Sequence, residues 1–170
     1  YGERWGRHWL DAAGYADSEG VTNTDPQRKW AWRFRDWVID AHNANQPWNQ
    51  FLVEQLAGDE LVSPPYKNLS PEQVRLLTAT GFLRTAPDGT AGANNNANRN
   101  QVIAETLNVV STSILGLTVG CAQCHNHRYD PIPQVDYYRL RAIFEPALDI
   151  ARWKKPASRT VSLYTDANKA

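Results

Sequence analysis

Methionine is absent from this 170-residue sequence, and cysteine occurs only twice. Two cysteines cannot staple a disulfide-dependent scaffold, so the fold must rest on a hydrophobic core and the pair needs another explanation. Net charge is missing as well: 18 Lys and Arg balance 18 Asp and Glu. That leaves no basic field to gather nucleic acid and no acidic field to gather cations at long range. No apolar run approaches the roughly 18 residues of a membrane-spanning helix. Glycine-rich phosphate loops, nucleophile elbows and paired-carboxylate arrangements are also lacking. The expectation is a globular chain with no nucleic-acid partner and no transmembrane segment. Because the sequence opens on Tyr1, it is expected to be a processed product or a piece of a longer polypeptide, whose leader would lie outside it.

Helical periodicity is what the sequence does have. Trp5, Trp9, Ala12, Ala13 and Ala16 predict a first helix over residues 1–16, with His8 at the edge of its apolar stripe and free to face inward. Residues 17–29 read as a loop, followed by helices over Trp30–Ala44 and Trp48–Leu56, the latter stopped by Gly58. Ser70-Pro71-Glu72-Gln73 has the form of a capping box that starts a short helix closed by Gly81. Residues 86–98 read as a mobile loop and a possible domain divide, and Arg99–Leu117 as the longest buried helix. After the Asp130-Pro131-Ile132-Pro133 break, Gln134–Phe144 resumes helix. The prediction is an all-α, irregular fold of about five to six helices over residues 1–145. Residues 146–170 are expected as an extended tail or the start of a following domain. Six of the seven tryptophans, Trp5, Trp9, Trp30, Trp32, Trp37 and Trp48, fall in the first fifty residues, and most of them are expected in the core.

The two cysteines form Cys121-Ala122-Gln123-Cys124-His125, the Cys-x-x-Cys-His attachment signature of a c-type haem. Two thiols on one helical turn can each form a thioether with a porphyrin vinyl group, while the following imidazole ligates the iron. Cys121 and Cys124 are then the covalent anchors and His125 the proximal ligand of one haem c. Three other readings stay open: a thioredoxin-like redox pair, a structural disulfide or free thiols, and a zinc-binding structural module. The zinc site would take Cys121, Cys124 and two of His8, His42, His125 and His127.

With no methionine, His/Met ligation cannot occur within the chain, and His8 becomes the first candidate for the sixth ligand, giving a bis-histidine iron. His127 stands too near His125 to cross to the opposite face. It is read as solvated or bonded to a propionate, with ligation of a neighbouring molecule's iron the lesser alternative. His42 is read as an ordinary exposed residue. The Asp130–Pro133 turn is expected to accept the proton on His125's other nitrogen. Arg84, Arg99 and Arg128 are candidates for propionate pairing, and Trp5 or Trp9 for touching the porphyrin.

Several segments resemble the PSCyt-type domain of large planctomycete cytochrome-c-associated proteins. They are Glu3-Arg4-Trp5-Gly6-Arg7-His8-Trp9-Leu10-Asp11, Tyr15-Ala16-Asp17-Ser18, Trp32 to Ile39, Glu54-Gln55-Leu56-Ala57-Gly58-Asp59 and Leu115 to His125. The similarity runs from Tyr1 to about Phe144. It implies an exported protein, periplasmic or extracellular, in which the domain lies beside a cytochrome c module. It also raises His8 as distal ligand and gives His127 and Asp130 a role near the haem. The expectation is a monohaem c-type cytochrome domain that carries electrons outside the cytoplasm. Its expected partners are other haem domains or redox proteins, including copies of itself with neighbouring haems. The alternatives are a haem enzyme, peroxidase-like or an oxidoreductase subunit, with an open sixth position, and the zinc module.

Overall fold

The structure is a computed structural model that describes residues 1–20 and 25–168. Among the described residues it is all helical, with six α-helices and no strand. The chain forms two compact units. One comprises residues 1–17, 27–85 and 160–170, and the other residues 18–26 and 86–159.

Helices α1 (Gly2–Ala12), α2 (Ala31–Asn43), α3 (Trp48–Ala57) and α4 (Pro71–Ala79) build the first unit. α1 ends at Ala12 rather than Ala16 because Gly14 turns left-handed at φ +66°. Its glycines permit a close approach to α2: a Cβ on Gly2 would stand 2.2 Å from the Ile39 carbonyl oxygen. The Gly2 amide donates to Asn43 Oδ1 at 2.8 Å. Rings fill the core, with Trp9 stacked on Phe82 at 5.7 Å and Trp37 on Phe51 at 5.2 Å. Burying each such side chain contributes about 2 kcal/mol. Trp9 Nε1 donates to the fully buried Gln55 at 2.7 Å, and Gln55 in turn donates to the Phe51 carbonyl, so the core amide is satisfied. The expectation of a tryptophan-rich core therefore holds for Trp9 and Trp37 alone in this unit. Trp5, Trp30, Trp32 and Trp48 are exposed. Helical spacing places a ring on a face but does not say whether another element covers that face.

α4 begins with the predicted capping box, Ser70 Oγ accepting from the Gln73 amide at 3.2 Å and Gln73 Oε1 from the Ser70 amide at 2.9 Å. It does not end at Gly81; it tightens into a 3₁₀ turn, Thr80–Arg84, where Gly81 presses on Phe34. Glu54, almost wholly buried, takes two hydrogen bonds from Arg75 at 2.6 and 2.7 Å.

The second unit holds α5 (Asn96–Val110) and α6 (Gln134–Phe144). α5 starts three residues before the predicted Arg99, because Asn95 caps it by accepting from the Asn98 amide at 2.9 Å. It also stops short of Leu117. Beyond Val110 the backbone widens into a π turn, Ser111–Leu115, where the hydroxyls of Ser111, Thr112 and Ser113 bond back to the carbonyls of Leu107, Asn108 and Val109. Gly116, at φ +67°, turns the chain out of it. The core is Ile103, Leu107, Val119, Ala122, Tyr137 and Leu148, with Ile150 and Trp153 packed against it. Residues 146–159, expected as an extended tail, are thus part of this unit. The loop expected to be mobile is pinned as well: buried Asp88 accepts from the Thr90 amide at 2.9 Å and pairs with Arg159 at 2.5 Å. Arg159 lies over the Trp153 ring at 4.7 Å.

Candidate functional site

Ala122 anchors the Cys-x-x-Cys-His segment. Fully buried, it draws a 3₁₀ turn, Gly120–Gln123, onto the second unit's core and leaves Cys121 and Cys124 exposed to either side of it. Both thiols are free. The turn is held by α6, since the Gln123 carbonyl accepts from Gln134 Nε2 at 3.1 Å and from the Tyr138 hydroxyl at 3.0 Å. Beneath lies Tyr137, whose hydroxyl is buried with no hydrogen-bond partner among the described residues. Burial pushes its phenol above the ordinary tyrosine value, against the opposing charge of Arg141.

His125 is exposed, and its Nδ1 lies 2.7 Å from the Asn126 carbonyl oxygen. A carbonyl only accepts, so the proton sits on Nδ1 and Nε2 keeps its lone pair. The acceptor expected in the Asp130–Pro133 turn is therefore Asn126 instead. That turn serves His127, whose side chain is only 5% exposed. His127 Nδ1 accepts from the amides of Asp130 at 2.9 Å and Tyr129 at 3.3 Å. The solvated reading of His127 gives way to a residue whose side chain is buried and whose Nδ1 is occupied by the main chain.

His42 is not an ordinary exposed residue either. It is half-buried, its Nδ1 donates to the Val38 carbonyl at 2.8 Å, and its ring meets Phe51 edge-on at 5.5 Å. His8, in the first unit, is exposed rather than turned inward, with its ring 5.5 Å from that of exposed Trp5. Of the candidate propionate partners, Arg99 is committed to Asn94 and the Ile150 carbonyl, while Arg128 is exposed beside Tyr129. Arg84 is exposed on the first unit.

The donor set suits a covalently attached haem. Two exposed thiols stand on one turn, followed by an imidazole with a bare Nε2, its other nitrogen held by a main-chain acceptor as metal-ligating histidines require. Among the described residues no three His, Cys, Asp or Glu side chains gather as a metal site, so the four ligands of the zinc reading are not assembled. No helix among them is long and apolar enough to cross a membrane. Sequence reasoning missed Asn126, which holds His125 by its carbonyl and the first amide of α6 by its side chain. Eight residues separate Asn126 from Gln134, too many for a capping pattern to show.

A family model described as PSCyt2, protein of unknown function (DUF1549), matches residues 1–149. No curated protein and no solved structure matches the chain.

Proposed function

The chain belongs to the PSCyt2 family of unknown function, and from that premise we propose that it is a monohaem c-type cytochrome domain carrying electrons outside the cytoplasm. Cys121 and Cys124 would hold the porphyrin through thioethers, and His125 would ligate the iron through Nε2. When bound, the haem supplies a one-electron centre whose potential depends on its axial ligands and its burial. Everything else is done by the chain. Ala122 and the Gln134 and Tyr138 hydrogen bonds hold the turn outward, so both sulfurs and the imidazole meet the surface of their unit, where a redox partner can approach. The Asn126 carbonyl keeps the His125 proton on Nδ1 and so preserves the lone pair for the metal. His8 is proposed as the sixth ligand, because its imidazole is exposed beside Trp5, an aromatic surface suited to a macrocycle. Export and association with other haem domains belong to the same proposal.

The state of His125 carries the reading: an exposed imidazole directly after two free thiols, with its proton on the nitrogen that does not ligate. Expression in a host that attaches haem to Cys-x-x-Cys-His segments tests it. The expected result is an intact mass raised by one haem, surviving denaturation, with a Soret band and a pyridine haemochrome. A bare polypeptide mass from such a host overturns it.

A further inference from the structure

We infer that His127 is a positioning residue for His125, a buried imidazole that fixes the loop from Asn126 to Pro133 and through it the proton placement of the exposed ring two positions earlier. The inference rests on the reading of His125 as an axial ligand and extends it to a residue whose own Nδ1 faces the main chain.

The loop is closed around the His127 ring. Its Nδ1 accepts the Asp130 and Tyr129 amides, its own amide donates to the Ile132 carbonyl at 2.8 Å, and the Ile132 amide donates to the Asp130 carbonyl at 2.7 Å. An Nδ1 that accepts places the ring proton on Nε2. The 3.3 Å approach of Asp130 Oδ2 to that same Nδ1 is therefore a contact and not an ion pair. Asn126 connects this loop to the ligand. Its carbonyl takes the His125 Nδ1 proton at 2.7 Å, and its Oδ1 takes the Gln134 amide at 2.9 Å at the start of α6. A change of path at residue 127 shifts Asn126 against that fixed point and turns its carbonyl away from His125. Before ligation, a histidine without that acceptor distributes its proton over both nitrogens and blocks Nε2 part of the time; once ligated it keeps the Nδ1 proton but exposes it to exchange.

Full-length chain labelled with ¹⁵N-histidine, in the reduced diamagnetic state, reports both rings in long-range ¹H–¹⁵N spectra. In the wild type the expected pattern is a protonated Nδ1 on His125 and an unprotonated Nδ1 on His127; a protonated His127 Nδ1 overturns the inference without any variant. His127→Asn puts an amide oxygen where Nδ1 stood, whereas His127→Gln puts it near the position of Nε2. His127→Asn is expected to retain the His125 Nδ1 proton. His127→Gln is expected to exchange it at least about tenfold faster, as the loss of one hydrogen bond implies. Equal behaviour of the two variants, in either direction, overturns the inference. A chain without haem is recognised by mass alone; that result sinks the proposed function while these proton readings stand.

Discussion

The ring nitrogens of His42 and His127 are engaged by main-chain groups, one 2.8 Å from the Val38 carbonyl and the other 2.9 Å from the Asp130 amide, while His8 and His125 are exposed. Four identical side chains thus have different surroundings, and substitution separates them. With haem attached, His8→Ala is expected to convert a low-spin iron to high spin and to open it to carbon monoxide, both read in the absorption spectrum; an unchanged spectrum removes His8 from the ligand set. His42→Ala is expected to leave that spectrum as it was. It should instead lower stability by about 1 kcal/mol in urea titration, through loss of the ring contact with Phe51 and of its hydrogen bond. The sequence marked His125 because the cysteines beside it form a local pattern. It could not sort the other three histidines, whose roles depend on burial by residues elsewhere.

Elements whose ends are set locally were the ones the sequence predicted well. α4 starts at its Ser70 capping box and α6 after Pro133, both visible within four consecutive residues. Ser70→Ala is expected to cost about 1 kcal/mol of stability, measured as a lower urea midpoint with an unchanged slope. α5 departs from its expected bounds at both ends for physical reasons. Its cap is one asparagine in a run of several, and its C-terminal turn is loosened by three successive hydroxyls that still read as helix by apolar spacing. Gly58 ends α3 as the sequence predicts, yet its further role is tertiary. A Cβ there would stand 2.4 Å from the Leu76 carbonyl oxygen of α4. Gly58→Ala is therefore expected to destabilise the chain by about 2 kcal/mol through forced separation of α3 and α4, against a small gain had the site been open. Denaturant titration of the single variant decides.

Each unit contains a buried carboxylate paired with an arginine, Glu54 with Arg75 in the first and Asp88 with Arg159 in the second. Burial alone would raise both carboxyls, but hydrogen bonds and the adjacent guanidinium outweigh it. Arg75 and Gln50 hold Glu54 below the ordinary 4.5, and Thr90 and Arg159 hold Asp88 below the ordinary 3.8. A carboxyl lowered in the folded state binds its proton more tightly when unfolded. Its contribution is complete above the ordinary value and disappears as pH falls through the lowered one. The melting temperature is expected to be level above about pH 5 and to drop steeply below about pH 4. Glu54→Gln and Asp88→Asn should each flatten that drop while lowering stability at neutral pH. A melting profile with the same acid slope in both variants would show that other groups set it. The all-helical class was legible at this scale from periodicity. The pairing of segments was not, since Asp88 and Arg159 are 71 residues apart and neither carries a local sign of the other.

Residues 160–168 return to the first unit, where Asn68 holds the main chain and side chain of Asp166, each at 2.8 Å. During synthesis from the amino end, residues 86–159 emerge in full before this closing stretch does. The turn with both cysteines is therefore synthesised before residues 160–168, which belong to the first unit. The unit begun earlier is thus completed later, an order set by the path of the chain.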